Sequence, residues 1–302
     1  MTAKKAPNTR KAYHYALENF NTWCKQAGRD PMPATADTVA LYLAHQLKSG
    51  ARMQTAKIRL SAIRDAHMRA KKPIPIDDAV RELIQNARRR LRERPAGKAA
   101  VTVEHLERIS GKLTEDGSHF ATRDRALIVF GFALGWRRSE LSSLDLADVE
   151  VDRRGATVHL RSSKTDQRGT GRVVGIPRAS RTDLCPVRAL QAWLRIRGTA
   201  PGPLFTIVDN AGKLTNDRIK PDTINQRVKR AMERIGEDST RYGAHSLRAG
   251  FITAAAEAGA TELAIMQRSG HTCIATVVGY VRPAAAFRGD PLAGTAIGSA
   301  TR

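Results

Sequence analysis

Along the first 91 residues, apolar side chains recur every three to four positions in four separate runs, each bounded by a helix breaker. Tyr13, Ala16, Leu17, Phe20, Trp23 and Cys24 share one side of a predicted helix that starts near Asn8 and is ended by Gly28 and Pro31. A second helix is predicted from Thr35 through Val39, Leu43 and Leu47 to Gly50, and a third over 53–70 that turns Leu60, Ile63 and His67 inward. The fourth begins at Asp77-Asp78, whose carboxylates suit the positive end of a helix, and continues through Val80, Leu83, Ala87 and Leu91. The stretch Arg94-Pro95-Ala96-Gly97-Lys98 has no apolar period and reads as a linker, so a domain boundary is expected at about residue 96.

The pattern then changes character. Thr102-Val103-Glu104-His105-Leu106 opens a helix, and residues 126–134 are almost wholly apolar, which predicts a helix buried on most sides and stopped by Gly135. A new helix is expected over 136–141, with Arg137 in its first turn and Glu140 one turn on. Between residues 147 and 177 the period becomes two. Val149 and Val151, a turn at Asp152-Arg153-Arg154-Gly155, then Thr157, Val158 and Leu160, then Val173, Val174 and Ile176 predict a small antiparallel sheet. Its polar connection, Ser162-Ser163-Lys164-Thr165-Asp166-Gln167, presents a lysine at a strand end. Helices return over 186–196 and 222–235. Three short helices are expected over 243–280: one carrying His245, Arg248, Leu247 and Phe251 to Gly259; one capped by Thr261 and stopped by Gly270; and one in which Ile274, Val277, Val278 and Val281 form a buried stripe with Tyr280 beside it.

Charge narrows the function. The 302 residues hold 51 Lys and Arg against 29 Asp and Glu, a net of +22, which implies a polyanionic partner. Residues 1–100 alone hold 21 basic and 8 acidic side chains. Lys57, Arg59, Arg64, Arg69, Arg88 and Arg89 are therefore candidates for contact with a DNA backbone, although any one of them also fits an ordinary solvated helix face. Aromatic residues are only 5%, too few to suggest stacking platforms for single strands. Three cysteines, Cys24, Cys185 and Cys273, with no Cys-x-x-Cys pair, suggest neither a disulfide framework nor a zinc site and fit a reducing cytoplasm. The longest apolar run, 126–136, is too short for a bilayer, and the N-terminus lacks a signal-peptide core, so no membrane or export role is expected.

Breaking a phosphodiester without a metal needs a nucleophile, cations on the non-bridging oxygens and an acid for the leaving oxygen. Arg137 and Arg248 are the candidate cations, since a guanidinium donates through a fixed fork and keeps its charge. Tyr280 is the candidate nucleophile; a free phenol has a pKa of about 10, so neighbouring cations must favour its phenolate. His245 and His271 can donate to the phosphate or take a proton. Taken singly, each has a bland alternative: Arg137 and Glu140 as a helix-surface pair, His245 as a core histidine, Tyr280 as a buried aromatic with a wet tip, Lys164 as a solvated charge. Two histidines without an acidic cluster do not suggest a hydrolytic metal site.

In order, however, these residues resemble the tyrosine recombinases, or phage integrases. The Gly-x-Arg-x-Ser-Glu-Leu box is matched by Gly135-Trp136-Arg137-Arg138-Ser139-Glu140-Leu141, with Trp136 where Leu is usual. The hairpin lysine is matched by Lys164, the His-x-x-Arg box by His245 and Arg248, the Gly-His box by Gly270-His271, and the tyrosine nine residues beyond that histidine by Tyr280. The resemblance covers nearly the whole chain. It implies a mainly α fold with a small antiparallel β-sheet: an N-terminal four-helix SAM-like core-binding domain over 1–96, and a tyrosine-recombinase catalytic domain over 97–302 that closes with the first around duplex DNA.

The same resemblance implies a site-specific recombinase that uses no cofactor and no metal. Tyr280 attacks the scissile phosphate to form a 3′-phosphotyrosine, Arg137, Arg248 and His271 hold the phosphate, Lys164 protonates the leaving 5′ oxygen, and His245 assists proton transfer. Its implied partners are double-stranded DNA, three further copies in a homotetramer on paired sites, and accessory DNA-bending proteins. A type IB topoisomerase that reseals the same strand, and a DNA-binding protein of the same fold without catalysis, are the alternatives. Ala284-Ala285-Ala286-Phe287 and Leu292 in the tail are expected to dock on a neighbouring subunit, although Gly289, Pro291 and Gly294 break any long helix there.

Overall fold

The computed structural model describes residue 5 and residues 7–91, 98–161 and 171–284. Lys164 and the tail beyond residue 284 lie outside that set. The chain divides into two compact units, Met1–Gly97 and Lys98–Arg302.

The first unit consists of α1 (Pro7–Gln26), α2 (Ala36–Lys48), α3 (Met53–Arg69) and α4 (Asp78–Leu91). Thr35 caps α2 by accepting from Thr38 N, and Asp77 accepts from Val80 N at 2.9 Å at the start of α4. The core joins Phe20 and Cys24 of α1, Val39, Tyr42 and Leu43 of α2, Ala56 and Ile63 of α3 and Val80 of α4. Phe20 meets the Tyr42 ring edge-on at 4.9 Å, while the Tyr42 hydroxyl donates to Asn19 at 2.7 Å. His67 is fully buried and structural: its Nε2 accepts from Ala34 N and its Nδ1 bonds the Ile63 carbonyl, each at 2.9 Å.

The second unit is built around α6 (His119–Leu134), packed by α5 (Val103–Asp116) and, further along, by α8 (Pro186–Arg197) and α10 (Ala244–Glu257). The apolar run 126–134 is only the second half of α6. The helix starts seven residues earlier, where Ser118 caps Ala121 N, and the buried pair Arg123–Asp124, 2.7 Å apart, interrupts the apolar pattern there. Between α6 and α8 lie α7 (Arg138–Ser143) and an antiparallel sheet of β1 (Val149–Val151), β2 (Gly155–Leu160) and β3 (Arg172–Pro177), with Val158 paired to Val149 on one side and to Val174 on the other. A second hairpin, β4 (Thr206–Val208) and β5 (Leu214–Arg218), follows α8; its strands are short and the latter is mostly polar, so the alternation that reveals strands is missing.

The chain continues through α9 (Pro221–Arg234), α10, α11 (Glu262–Ser269) and α12 (Ile274–Ala284). The main core runs from Leu106 and Ile109 through Leu127, Ile128 and Phe130 to Trp193 and Val228. Ile252 of α10, Ile265 of α11 and Val277 of α12 make a separate small cluster, against which Phe251 and Tyr280 pack. Of the expected apolar stripe of α12, Val277 is fully buried, Val278 half-buried and Ile274, at the helix start, 56% exposed, while the Val281 side chain lies outside the described set. Among the described residues no helix is long and apolar enough to cross a membrane.

Candidate active site

Four elements of the second unit converge: the α6–α7 turn, the first turns of α10, the α11–α12 turn and one face of α12. Gly135 ends α6 at φ 63°, a left-handed conformation that favours glycine, and a side chain there would also strike the Phe251 ring. The chain then reverses, so Arg137 stands at the N-cap of α7 and not within its first turn. Glu140 folds back over that cap. One carboxylate oxygen accepts the Arg137 guanidinium at 2.7 Å, the other its backbone N–H at 2.9 Å. With 3% of its surface exposed, Glu140 belongs to the interior and is not the helix-surface partner that its spacing from Arg137 suggests.

Arg248 projects from α10 into a polar slot. Its Nη1 donates to the Gly135 carbonyl at 2.9 Å and to the Ser269 carbonyl, and its Nη2 to His271 Nε2 at 2.8 Å. Burial, and then the charge of Arg137, lower its pKa to about 10, which leaves it cationic at neutral pH. His271 stands where Gly270 ends α11 at φ 69°. Ser269 Oγ donates to the Ile265 carbonyl at 2.6 Å and accepts from His271 Nδ1 at 2.7 Å, so Nε2 is left free to accept from Arg248. Desolvation first, then Arg248 and Arg137, depress the His271 pKa to about 4.

His245 begins the same helix, whose first turn is fixed by Asn225 accepting from Ala244 N at 3.0 Å. Its Nε2 lies 2.9 Å from the Tyr280 hydroxyl. Partial burial, then Arg248 and Arg137, lower its pKa, so the imidazole is neutral at pH 7. In its Nδ1–H tautomer Nε2 accepts the phenolic proton. Arg137, Arg248, His245, His271 and Tyr280 are thus brought together from positions up to 143 residues apart.

The other sequence candidates are distributed differently. Lys57, Arg64, Arg88 and Arg89 are exposed, and Lys57 and Arg64, seven residues apart, share one face of α3. Arg59 is half-buried and donates to Gln46, and Arg69 is paired with Asp65 at 2.6 Å. Those two are therefore partly committed within the fold.

Arg172 was not picked out by any motif. It opens β3 in phase with the buried Val174 and Ile176, which is the one signal in the sequence that points it inward. Its guanidinium lies 5.0 Å from the Trp136 ring centre and 3.9 Å from Glu140. Trp136 is itself fixed, donating from Nε1 to the Arg268 carbonyl at 3.0 Å. The guanidiniums of Arg137 and Arg172 lie near the Glu140 carboxylate and that of Arg248 within its field, and that net positive balance attracts an anion. Among the described residues no group of three or more His, Cys, Asp or Glu side chains is placed to hold a metal ion.

This arrangement has relatives. Residues 100–286 match the Phage integrase family, and residues 1–72 match the family described as Phage integrase, N-terminal SAM-like domain. The chain is 31% identical to an integrase/recombinase xerD homolog of Selenomonas ruminantium over 95% of this chain and 85% of that one. It is 26% identical to Recombinase cre of Escherichia phage P1, over 87% and 80% respectively. In fold it is similar to the Tn1549 transposon integrase in complex with transposon right end DNA, with a TM-score of 0.67 and 14% identity, over 92% of this chain and 90% of that one. Other structures of similar fold include a lambda integrase dimer on a core site and a tetramer on a Holliday junction. The match over both units, with the ordered boxes meeting at one site, establishes that the chain belongs to the phage integrase family of tyrosine recombinases.

Proposed function

We propose that this protein carries out site-specific recombination on DNA, cutting and rejoining the duplex through a 3′-phosphotyrosine on Tyr280. The observation that carries the assignment of roles is the 2.9 Å contact between the Tyr280 hydroxyl and His245, one helical turn before Arg248. His245, neutral at pH 7, takes the phenolic proton as the oxygen attacks phosphorus. Arg137 and Arg248 donate to the non-bridging oxygens, on which charge builds in the transition state. His271 is an acceptor for Arg248 before DNA arrives; a phosphate that draws Arg248 away frees its Nε2, and proton uptake by the ring then turns it into a donor. Lys164, in the β2–β3 connection, protonates the departing 5′ oxygen. The reverse step, attack of a partner strand's 5′-hydroxyl on the phosphotyrosine, restores the tyrosine and keeps the bond energy in the protein linkage, so no nucleotide is consumed.

Duplex DNA is the substrate. Lys57, Arg64, Arg88 and Arg89 supply backbone contacts from the first unit, with smaller contributions from Arg59 and Arg69. The working assembly is a homotetramer on two paired sites, joined through the segment after residue 284, with Phe287 as anchor. Action on DNA within the cytoplasm fits the absence of a membrane-crossing helix among the described residues.

The test is Tyr280→Phe, which removes one oxygen and little packing. Binding to the cognate duplex is retained and the covalent adduct is lost. An adduct that persists in the variant moves the nucleophile elsewhere, Tyr242 being the nearest tyrosine in sequence.

A further inference from the structure

Arg172 is the one guanidinium of the cluster with no task in the reaction described above. Two of its nitrogens, Nε and Nη2, are buried without a hydrogen-bond partner among the described residues, a condition that folded proteins rarely leave standing. Burial lowers its pKa, with Glu140 opposing that shift and Arg137 adding to it. The side chain is not stray. It lies against the indole of Trp136 and beneath Gly270, where an added Cβ would fall inside the guanidinium. Glycine in the Gly-His box therefore does two things: it supplies the left-handed turn and it leaves room for Arg172. The departure from Leu at position 136 also gains a reason, because Leu offers neither a π face nor an N–H for the Arg268 carbonyl.

The unused donors face a carboxylate that is about to lose its partner. Glu140 is buried, and in the DNA-free protein it is held by Arg137 through both oxygens. If Arg137 turns its guanidinium to a phosphate, one Glu140 oxygen loses its charge partner in an interior where an unpaired carboxylate is costly. Arg172 Nη2 stands 3.9 Å from the other oxygen, about one ångström outside hydrogen-bond reach. A shift of about one ångström along the indole closes that gap while the guanidinium stays within the roughly 6 Å of the ring centre over which a cation–π contact holds.

We propose that Arg172 is a positioning residue that takes over Glu140 when DNA binds, releasing Arg137 from its internal ion pair to the scissile phosphate, with Trp136 and Gly270 forming the track on which it moves. The proposal rests on the reading of Arg137 as a phosphate ligand. Arg172 acts through Glu140 and does not touch the substrate; its effect falls on the rate of the chemical step and not on DNA affinity.

The experiment is a double-mutant cycle on the full chain: wild type, Arg172→Met, Glu140→Gln and the double variant, each tested with a nicked cognate duplex for single-site affinity and for the adduct-forming rate at saturating DNA. Arg172→Met is expected to bind within about twofold of wild type and to form adduct on the order of ten- to a hundredfold more slowly. In the Glu140→Gln background, where no carboxylate charge grips Arg137, the same substitution costs less than about twofold. Arg172→Lys, which keeps the charge and one donor, recovers part of the loss. Wild-type cleavage by Arg172→Met, or an equal loss in both backgrounds, overturns the proposal. Should Arg172→Met fail to fold, Arg172→Lys run through the same cycle decides it by the same criterion. A wild-type protein that forms no adduct on Tyr280 overturns the functional reading and this proposal together, whereas an adduct on Tyr280 with uncoupled Arg172 and Glu140 overturns only the latter.

Discussion

The cationic side of the site and the nucleophile's side are built to different standards. Arg248 is 2% exposed, is tied to the Gly135 and Ser269 carbonyls and to His271, and leaves a helix that packs on the central α6. Tyr280 rides on α12, in which, among the described side chains, Val277 is fully buried in the small cluster of Ile252 and Ile265, while Ile274, Thr276 and Gly279 face solvent. A phosphate cradle is useful only when its donors are already aimed, because reorganising charges during the reaction forfeits most of their benefit. A nucleophile that must attack, become a leaving group and attack again is better carried on an element of low local stability. The difference follows from how much apolar surface each element buries, which is set by α12 being short and half solvated.

The comparison breaks most visibly at Arg248. Arg248→Ala removes a proposed phosphate ligand and strands two buried carbonyls, so single-turnover cleavage is expected to fall by roughly 10³-fold or more and folding stability by about 2–4 kcal/mol in a denaturant titration. Arg248→Lys restores neither, because an ammonium cannot span both carbonyls and His271 through one fork. Lys164 tests the acid. Lys164→Ala is expected to cleave a normal duplex about a hundredfold more slowly, yet a substrate with sulfur at the bridging 5′ position at nearly the wild-type rate, since sulfur leaves without a proton. Equal impairment on both substrates assigns Lys164 to phosphate binding.

Truncations test the packing itself. Val277→Ala costs on the order of 1–2 kcal/mol of local burial, and hydrogen exchange should report it as lost protection in α12 with α6 unchanged. Leu127→Ala, in the main core, lowers protection throughout the second unit and costs about 2–5 kcal/mol. A further signal is in pH. His271 has a folded pKa of about 4, below the usual value for histidine, so the unfolded chain binds the extra proton first as pH falls. The contribution is fully present above the unfolded value of about 6.5 and is lost progressively toward pH 4. His271→Gln should flatten the stability profile of the DNA-free protein across that window.

Much of this was legible in the chain, and the reasons for the rest are physical. The four N-terminal helices, the hairpin of β2 and β3 and the capping glycines were readable because period, cap and breaker agreed. The start of α6 was hidden because Arg123 and Asp124 are buried as a pair, so a charged stretch occupies an interior position. The β4–β5 hairpin was missed because β5 is polar and partly solvated. In the site, spacing identified the five residues that now meet, but it could not show that Glu140 is interior. The carboxylate folds back over the cap at Arg137 locally, but its burial depends on distant elements that pack on α7, α9 among them, which is a tertiary fact. Arg172 was concealed for a similar reason. A single arginine at a strand start looks solvated until the indole and the glycine beside it are known.

The central claim is that Tyr280, poised against His245, makes the covalent bond to DNA. The direct measurement is to react the full chain with a nicked cognate duplex, denature it, digest protein and DNA, and locate the nucleotide-bearing peptide by mass spectrometry. The account predicts one modified site, Tyr280, carrying a 3′-linked nucleotide. Modification at Tyr242 or any other residue, or a linkage through a 5′-phosphate, would contradict it.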